Sequence, residues 1–321
     1  MSTFAEFHDE LSSVANDILA KDSEVAWSVL VDAGWTGLEV PESAGGAGAT
    51  FIETALILRQ IGRAASANHY FGSAALAVAA LQHAPDELLA AVADGSSRFA
   101  VVTDQFTTAS GKLTGRAEFV PDAVGADRLL FLVDGGVAVV PATAVTVSAA
   151  PVVDETRTLA TVIADGVVPE MIVPSDCASA VHNRATVALA VDSLGIAERM
   201  LTATVDYVKM RHQFGRPIGS FQAVKHACAD MLVAIEVSRQ LVADAVAAIA
   251  DGADAAVPAA MAKSHTCSAA VDIAGKAMQL HGGIGYTWES GIHRYLKRAT
   301  LNRSLFGSPA TQRQRLSQRY H

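Results

Sequence analysis

The chain has 321 residues, of which 51% are hydrophobic and 18% are charged. This is enough material for a large apolar core and for more than one domain. The net charge of -9 argues against a nucleic-acid-binding surface, which normally displays clustered Lys and Arg. No apolar stretch reaches the roughly 18 residues that a membrane span needs, and the first residues form an acidic amphipathic pattern. We therefore expect a cytoplasmic protein that binds neither nucleic acid nor membranes.

The three cysteines, Cys177, Cys228 and Cys267, are far apart in the sequence. They form no CxxC pair and no metal-like pattern with histidine. We expect buried, reduced thiols and no metal site, because free cysteine is among the most buried residue types.

Residues 1–96 are predicted to form an N-terminal helical domain. From residue 4 to about residue 89, apolar residues recur at spacings of three and four, as they do along one face of a helix. The main interruption is the segment 41–48, in which glycines follow a proline.

Residues 97–174 are predicted to form a small antiparallel β-domain. Short β-branched runs replace the helical pattern, and Gly, Asp and Pro residues separate these runs. The change of pattern marks a domain boundary on each side.

Residues 175–321 are predicted to form a C-terminal four-helix bundle. One apolar stripe spans 187–208, a second follows Pro217, and a third helix is expected over about 257–280. Wide stripes on long helices usually pack as a bundle, and such bundles often continue across a subunit interface. The predicted fold is therefore α+β and mainly helical, and oligomerisation is expected.

Four basic residues recur at helical spacing near the C-terminus, namely Arg294, Lys297, Arg298 and Arg303. A solvated helix face or an inter-subunit contact explains such a row more simply than nucleic-acid binding does. We expect one of these two arrangements.

Two segments of the predicted bundle carry a specific combination of residues. The first is RHQFGRPIGSFQ at 211–222, and the second is QLHGGIGYTWE at 279–289. A third segment, GLEVPE at 37–42, lies near the N-terminus. In their order along the chain, 37–42, 211–222 and 279–289, the three segments resemble the signatures of the acyl-CoA dehydrogenases. The resemblance covers nearly the whole chain.

FAD is the cofactor that the resemblance implies. In the family, the arginine of the first segment and the glutamine and glycines of the second hold the pyrophosphate and adenosine end of an FAD that lies mainly in the neighbouring subunit. A diphosphate favours the fork of a guanidinium, and backbone approaches it closely where there is no Cβ. The residues implied as cofactor contacts are Arg211, Phe214, Phe221, Gln222, Gln279, Gly282 and Gly283.

Simpler roles remain open for several of these residues. Phe214 and Phe221 could be core residues, since aromatic side chains are commonly buried. The two glutamines could be surface amides, and His281 is expected to be a hydrogen-bonded structural histidine. Arg211 is harder to explain in this way, because a bundle has little reason to hold an arginine just before a Phe-Gly turn.

The catalytic carboxylate of the family is missing at both of its known positions. Members remove the α-proton of an acyl-CoA thioester with a glutamate, which must reach the α-carbon. Most members carry it in a Tyr-Glu-Gly-Thr segment, where this chain has LFGS and therefore Phe306. A minority carry Glu-Arg at the start of the first bundle helix, where this chain has Asn183-Arg184. No catalytic residue is therefore predicted in this chain.

The segments that cover the flavin ring and the thioester in the family are also changed. The chain has DQFTTAS at 104–110 and FVPD at 119–122, where members carry a Thr-Glu-Pro-Gly loop and a Trp-Ile-Thr-Asn strand. The chain thus resembles the short, non-catalytic subunit of actinobacterial α2β2 acyl-CoA dehydrogenases, many of which act on steroid side-chain thioesters. The implied partners are a catalytic acyl-CoA dehydrogenase subunit, which holds most of the acyl-CoA, and electron-transfer flavoprotein.

Three other roles remain open. A self-sufficient homo-oligomeric dehydrogenase would need an unrecognised base, for which the acidic candidates are Glu198, Glu236 and Glu289. By default, these three are expected to be charges on helix surfaces. A nonenzymatic binding protein could also reuse the fold. A further possibility is a purely structural subunit with no flavin contact, and Arg211 discriminates it, because such a subunit would not need Arg211 to contact a phosphate.

Overall fold

The chain is mainly helical, as predicted, and the computed structural model describes residues 4–318. The three long helices predicted after Pro174 are confirmed as α6, α7 and α8. Within the described range, no helix is long and apolar enough to cross a membrane. The α-helices are α1 (His8–Leu19), α2 (Trp27–Asp32), α3 (Phe51–Ala64), α4 (Ala77–Ala80), α5 (Asp86–Ala93), α6 (Ala178–Met210), α7 (Gln222–Ala250), α8 (Ala256–His281), α9 (Ile292–Ser304) and α10 (Pro309–Ser317).

The strands of residues 4–318 form two four-stranded sheets and one two-stranded hairpin. The first sheet has the order β1-β4-β5-β8, the second has the order β2-β3-β7-β6, and β9 pairs with β10. The strands are β1 (Phe99–Val102), β2 (Thr107–Ala109), β3 (Lys112–Pro121), β4 (Arg128–Val133), β5 (Gly136–Pro141), β6 (Thr146–Ala149), β7 (Leu159–Val167), β8 (Met171–Pro174), β9 (His212–Gln213) and β10 (Arg216–Pro217).

One strand pair departs from the predicted antiparallel arrangement. Strands β1 and β4 are parallel, with Phe99 opposite Arg128 and Val102 opposite Phe131. Parallel neighbours need a long connection, and the excursion through β2 and β3 of the other sheet supplies it. The other pairs of the two sheets are antiparallel.

The two four-stranded sheets share one apolar core. Their alternating inward side chains form a single cluster, in which the rings of Phe106 and Phe131 meet edge to face at 4.8 Å. Gly115 of β3 leaves the space for this arrangement, because a Cβ there would overlap the Phe106 ring. The β-branched runs of the sequence thus become strands because their apolar faces are buried against each other.

The chain folds as two compact units. Unit 1 contains the residues up to Glu10, Glu24–Thr54 and Ala67–Ala185, and it includes both four-stranded sheets. Unit 2 contains Leu11–Ser23, Ala55–Ser66 and the residues from Thr186 onward. The three-domain boundaries expected from the sequence stay a prediction.

A buried ion pair connects the GLEVPE segment of unit 1 to the start of α6. The guanidinium of Arg184 pairs with the carboxylate of Glu39 and also donates to the carbonyl oxygen of Ala75. Thr54 donates to the same Glu39 carboxylate, and the Arg184 guanidinium lies 4.3 Å from the centre of the Phe51 ring. The buried Arg184 guanidinium thus has a carboxylate, a carbonyl oxygen and an aromatic ring as partners, and a buried charge needs such partners.

A second buried ion pair organises unit 2. Asp192, in the middle of α6, accepts from Arg298 Nη2 at 2.6 Å and from Asn302 Nδ2 at 2.6 Å. Arg298 also donates to the carbonyl oxygen of Ser66 at 3.0 Å, and its side chain is only 2% exposed. The expectation of a solvated or inter-subunit role is therefore wrong for Arg298. The row of basic residues could not reveal a carboxylate more than one hundred positions away.

Glycines allow α3 and α6 to approach closely within unit 2. A Cβ on Gly62 would overlap the backbone of Asp192, and a Cβ on Gly195 would overlap the carbonyl oxygen of Arg59. Two helices can cross at such short range only where a side chain is absent from the contact.

Replacing Gly195 with alanine is expected to destabilise the chain by about 1–3 kcal/mol, because the added methyl group must displace the α3 backbone. Gly275→Ala in α8 is the matched control, since nothing lies within 4 Å of the added Cβ there. Alanine at that helical position should stabilise the fold by up to about 1 kcal/mol. Urea unfolding of both variants measures the difference. A Gly195→Ala variant as stable as the wild type would contradict the close crossing.

Candidate cofactor site

Arg211 lies immediately after α6, at the start of a tight hairpin. Its backbone N–H donates to the Tyr207 carbonyl oxygen at 2.9 Å, and its own carbonyl oxygen accepts from the Ile218 N–H at 2.7 Å. The hairpin reverses at Phe214 and Gly215, which both have positive φ angles, 52° and 78°. Two-residue turns with two positive φ angles match the twist of a β-hairpin. The backbone of Arg211 is thus held at both ends, while its side chain is exposed.

The two phenylalanines of this segment lie at the surface. The Phe214 side chain is 90% exposed, which argues against a core role for it. Its ring meets the half-buried Phe221 ring edge to face at 6.1 Å, and the Arg216 guanidinium lies 4.2 Å from the centre of the Phe221 ring. Gln222 follows as the first residue of α7 and is exposed. The hairpin therefore presents aromatic, cationic and amide groups to the outside.

The second segment surrounds the end of α8. Gln279, in the last turn, is exposed and accepts from Lys276 Nζ at 3.3 Å. Gly282 has φ 61° and ψ -142°, a combination that residues with a Cβ essentially do not adopt. A Cβ on Gly283 would meet nothing within 4 Å, so the backbone of this turn faces open space. A phosphate group could approach this backbone without meeting a side chain.

A ring stack brings the two segments together. Tyr207, one turn before Arg211, stacks on His281 with ring centres 4.4 Å apart and an interplanar angle of 23°. His281 is buried and donates from Nδ1 to the Ala277 carbonyl oxygen at 2.7 Å, so it is the hydrogen-bonded histidine predicted. It directly precedes Gly282, and the stack thus places the end of α6 beside the end of α8. Sequence reasoning missed Tyr207, because a single tyrosine on a helix does not reveal its partner.

The geometry fits the diphosphate end of an FAD on one side. A guanidinium with fork geometry follows α6, a backbone turn without Cβ atoms follows α8, and aromatic rings lie nearby. All but one of the seven predicted cofactor contacts are exposed, and Phe221 is half-buried. One chain therefore offers an open surface here, not an enclosed pocket.

Phe306 lies in a hydrogen-bonded turn at the position that the resemblance assigns to the family's usual base. It has a positive φ of 54°. Buried Lys263 donates to the carbonyl oxygens of Asn302 and Leu305, the latter at 2.8 Å, and Gln312 Nε2 donates to the Phe306 carbonyl oxygen at 2.9 Å. The backbone of the turn is thus held in place, but the phenyl ring of Phe306 can accept no proton.

The alternative base position is also occupied by a residue without a carboxylate. Asn183 is half-buried, and the adjacent Arg184 is committed to the buried Glu39 pair. An asparagine amide cannot act as a general base.

Glu198 is not the surface charge that was expected. Its side chain is only 3% exposed, and it accepts from Arg59 Nη2 at 2.5 Å, Arg239 Nε at 2.8 Å and Arg63 Nη1 at 3.2 Å. Burial would raise the pKa of Glu198, but hydrogen bonds and charges from Arg59 and Arg239 hold it below its ordinary value. A carboxylate with a lowered pKa and three cationic partners is a weak proton acceptor.

The other two acidic candidates are surface charges, as predicted. Glu236 is 54% exposed at its side chain and pairs with Arg239 Nη1 at 2.5 Å. Glu289 is exposed, and hydrogen bonds from its own backbone and from Thr287 lower its pKa. A general base at pH 7 needs a pKa raised toward neutrality, and the pKa of Glu289 is shifted the other way.

The FVPD segment forms a hydrogen-bonded turn in unit 1. Phe119 and Asp122 both have positive φ angles of 58°, next to an irregularity in the pairing of β3 with β7. The buried Asp122 carboxylate accepts from the Gly72 N–H at 2.7 Å. Asp122 thus fixes a turn of the backbone. Across residues 4–318, no cluster of three His, Cys, Asp or Glu side chains could hold a metal ion.

Two family models match the sequence. The model described as acyl-CoA dehydrogenase, C-terminal domain, matches residues 178–321. The model described as acyl-CoA dehydrogenase, N-terminal domain, matches residues 2–91.

Individual relatives agree with these matches. The acyl-CoA dehydrogenase IpdE2 of Mycobacterium tuberculosis is 36% identical over 291 residues, which cover 89% of this chain and 83% of that protein. A solved steroid ACAD variant, Tcur3481-Tcur3483, has a TM-score of 0.90 and 28% identity, covering 98% of this chain and 98% of that chain. The ChsE4-ChsE5 complex from M. tuberculosis has a TM-score of 0.90 and 26% identity, covering 99% of this chain and 98% of that chain.

Glu198→Gln is expected to lower the stability of the chain at neutral pH, because three arginines lose their shared negative charge. The folded-state pKa of Glu198 lies below its ordinary value of 4.5, so its stabilisation is complete above that value. The advantage of the wild type should shrink as the pH falls through the lowered pKa. Urea midpoints between about pH 7 and pH 3 measure this. Exposed Glu236→Gln is the control, and a difference for Glu198→Gln that does not change with pH would contradict the expectation.

Proposed function

The chain belongs to the acyl-CoA dehydrogenase family, whose members depend on FAD, and we propose that it is the supporting subunit of a two-chain enzyme. In this proposal, the chain holds the ADP part of an FAD that lies mainly in a catalytic partner subunit. Together the two chains catalyse α,β-dehydrogenation of an acyl-CoA thioester. The observation that carries the proposal is the exposed surface formed by the two motif segments, which the Tyr207–His281 stack joins.

The proposed contacts divide by chemistry. Arg211 binds the pyrophosphate with its guanidinium, and the glycine turn after α8 admits a phosphate oxygen to backbone N–H groups because no Cβ blocks its approach. The amides of Gln222 and Gln279 donate hydrogen bonds, and the rings of Phe214 and Phe221 pack against the adenosine end. When bound, FAD supplies the acceptor for the hydride that leaves the β-carbon of the thioester.

The openness of this surface supports the need for a second chain. Binding sites for cofactors normally bury most of the ligand surface. Here six of the seven proposed contacts are exposed, so the chain alone covers only one side of the cofactor. A partner subunit that encloses the other side completes the site.

The occupants of the two base positions support the assignment of catalysis to the partner. Phe306 and Asn183 replace the glutamate at the two positions known in the family, and the Phe306 turn is held by Lys263 and Gln312. The partner therefore supplies the carboxylate that removes the α-proton. We extend the proposal to electron-transfer flavoprotein as the electron acceptor, since the family resemblance implies it.

Two of the related structures support the composition of the assembly. ChsE4-ChsE5 is named as a complex of two components, and Tcur3481-Tcur3483 is named as a steroid enzyme with two components. By analogy, we propose an α2β2 assembly that acts on a steroid-derived acyl-CoA. The similarity to these two structures supports the substrate class.

Co-expression of this chain with a catalytic acyl-CoA dehydrogenase of the same organism tests the proposal. Purification by a tag on this chain should yield a heterotetramer with about one FAD for every two chains. Arg211→Ala should lose most of the FAD while the tetramer remains, because the lost contact binds the cofactor and not the partner. Flavin absorbance and native mass spectrometry provide the two measurements.

Arg116→Ala is the matched control, since Arg116 is an exposed arginine of unit 1 whose one ion-pair partner among residues 4–318 is Glu118. It should keep the FAD content of the wild type. A homo-oligomer with one FAD per chain, or full FAD retention in Arg211→Ala, would overturn the supporting-subunit role.

Neutralising either of the exposed carboxylates Glu236 and Glu289 should leave the turnover rate of the assembly within about twofold of the wild-type rate. Glu236→Gln and Glu289→Gln test the alternative that one of them is an unrecognised base, whose loss would cost a factor of about 100 or more. Steady-state reduction of an artificial electron acceptor by the assembly measures the rate. A loss of that size in either variant would place catalysis in this chain.

A further inference from the structure

A cleft in unit 2 gathers cationic side chains that the proposed cofactor site does not use. It lies among α1, α3, α6 and α9 and has a volume of about 420 Å³. Three of its side chains are cationic, namely Lys21, Arg63 and Arg199, and four carry neutral polar groups, namely Asn16, Ser23, Gln60 and Tyr295. Asp22 is the acidic residue of the lining.

The charge beside this cleft is positive although the whole chain carries -9. Arg59, Arg63 and Arg239 share the single carboxylate of Glu198, and Arg239 also contacts Glu236. Adding Lys21, Arg199 and Asp22 gives five cations for three carboxylates. The excess positive charge is local, and it favours an anion in the cleft.

Arg199 and Lys21 have donor groups available. Within residues 4–318, the side chain of neither residue forms a hydrogen bond or an ion pair, and both are exposed. Arg63 uses one nitrogen, Nη1, for a 3.2 Å contact with Glu198 and is 32% exposed at its side chain. Tyr295 donates to the Arg63 carbonyl oxygen at 3.1 Å, which fixes the end of α3 that carries Arg63.

Helix ends explain two of these cations but not the third. Lys21 follows the C-terminus of α1, and Arg63 lies in the last turn of α3, where cations offset the negative end of the helix dipole. Arg199 lies well inside α6, more than two turns from either end. It has no such role, so its position calls for another partner.

We propose that this cleft binds a small molecule through a diphosphate group. Two guanidinium forks and one ammonium group offer more donors than the two oxygens of a single carboxylate can accept. A diphosphate has more acceptor oxygens and a higher charge. The volume lies within the usual range of small-molecule sites, roughly 300–1,000 Å³. Free pyrophosphate and a nucleoside diphosphate share this chemistry.

Isothermal titration calorimetry on the purified full chain, with its partner where one copurifies, tests the proposal. The probes are pyrophosphate and ADP, at about 20 mM and about 150 mM salt. Saturable pyrophosphate binding is expected, weakened at the higher salt. Arg199→Gln should weaken it about tenfold, because one charge-assisted hydrogen-bond pair is lost. An unchanged melting curve checks that this surface variant folds.

Two further variants separate specific binding from general attraction and from the proposed FAD role. Arg239→Gln removes a neighbouring charge outside the cleft and should change the affinity by no more than about twofold. Arg211→Ala should leave pyrophosphate binding in the cleft intact, whether or not the FAD role is right. Equal affinity for ADP and pyrophosphate would mean that the cleft recognises the diphosphate group alone. Tighter binding of ADP that depends on Arg199 would mean that the cleft also contacts the nucleoside. No saturable binding, or equal losses in Arg199→Gln and Arg239→Gln, would overturn the proposal.

Discussion

The buried pair of Asp192 and Arg298 is the constraint on which unit 2 depends. A carboxylate in the middle of α6 must find hydrogen-bond donors, and Arg298 and Asn302 of α9 supply them. Replacing such a pair with apolar residues can be harmless, but removing one partner typically costs about 3–5 kcal/mol. The pair therefore specifies which face of α6 meets α9. Through the Ser66 carbonyl oxygen it also ties in the segment that follows α3.

Once α6 is fixed, its C-terminal end determines where the proposed cofactor surface forms. The Tyr207 ring lies against His281, and the hairpin after α6 thus lies beside the glycine turn after α8. Two segments about seventy positions apart in the sequence become one surface. The backbone of Arg211 is held by hydrogen bonds at both ends, while its side chain stays exposed. This division between a fixed backbone and free side chains is what a binding site needs.

This chain keeps the backbone of the family's usual base position but lacks the reactive side chain there. The turn around Phe306 keeps a strained, well-supported backbone although its side chain cannot take a proton. Asp122 and Glu39, by contrast, are carboxylates whose hydrogen bonds serve the structure of unit 1. Retained architecture without the reactive group is the expected condition of a chain that works beside a catalytic one. Fold alone could not distinguish the two cases.

The sequence by itself determined the helical periods of α6, α7 and α8, the run of strands between residues 99 and 174, and the motif residues Arg211 and Gly282. Each of these depends on local spacing or on the conformational freedom of one residue, and such information is present in a short window. Only the tertiary structure decided that β1 and β4 are parallel, that Arg298 and Glu198 are buried, and that Tyr207 meets His281. Those outcomes depend on partners that lie tens to more than a hundred positions away. No local pattern encodes a contact whose energy arises only after the chain has closed the intervening loop.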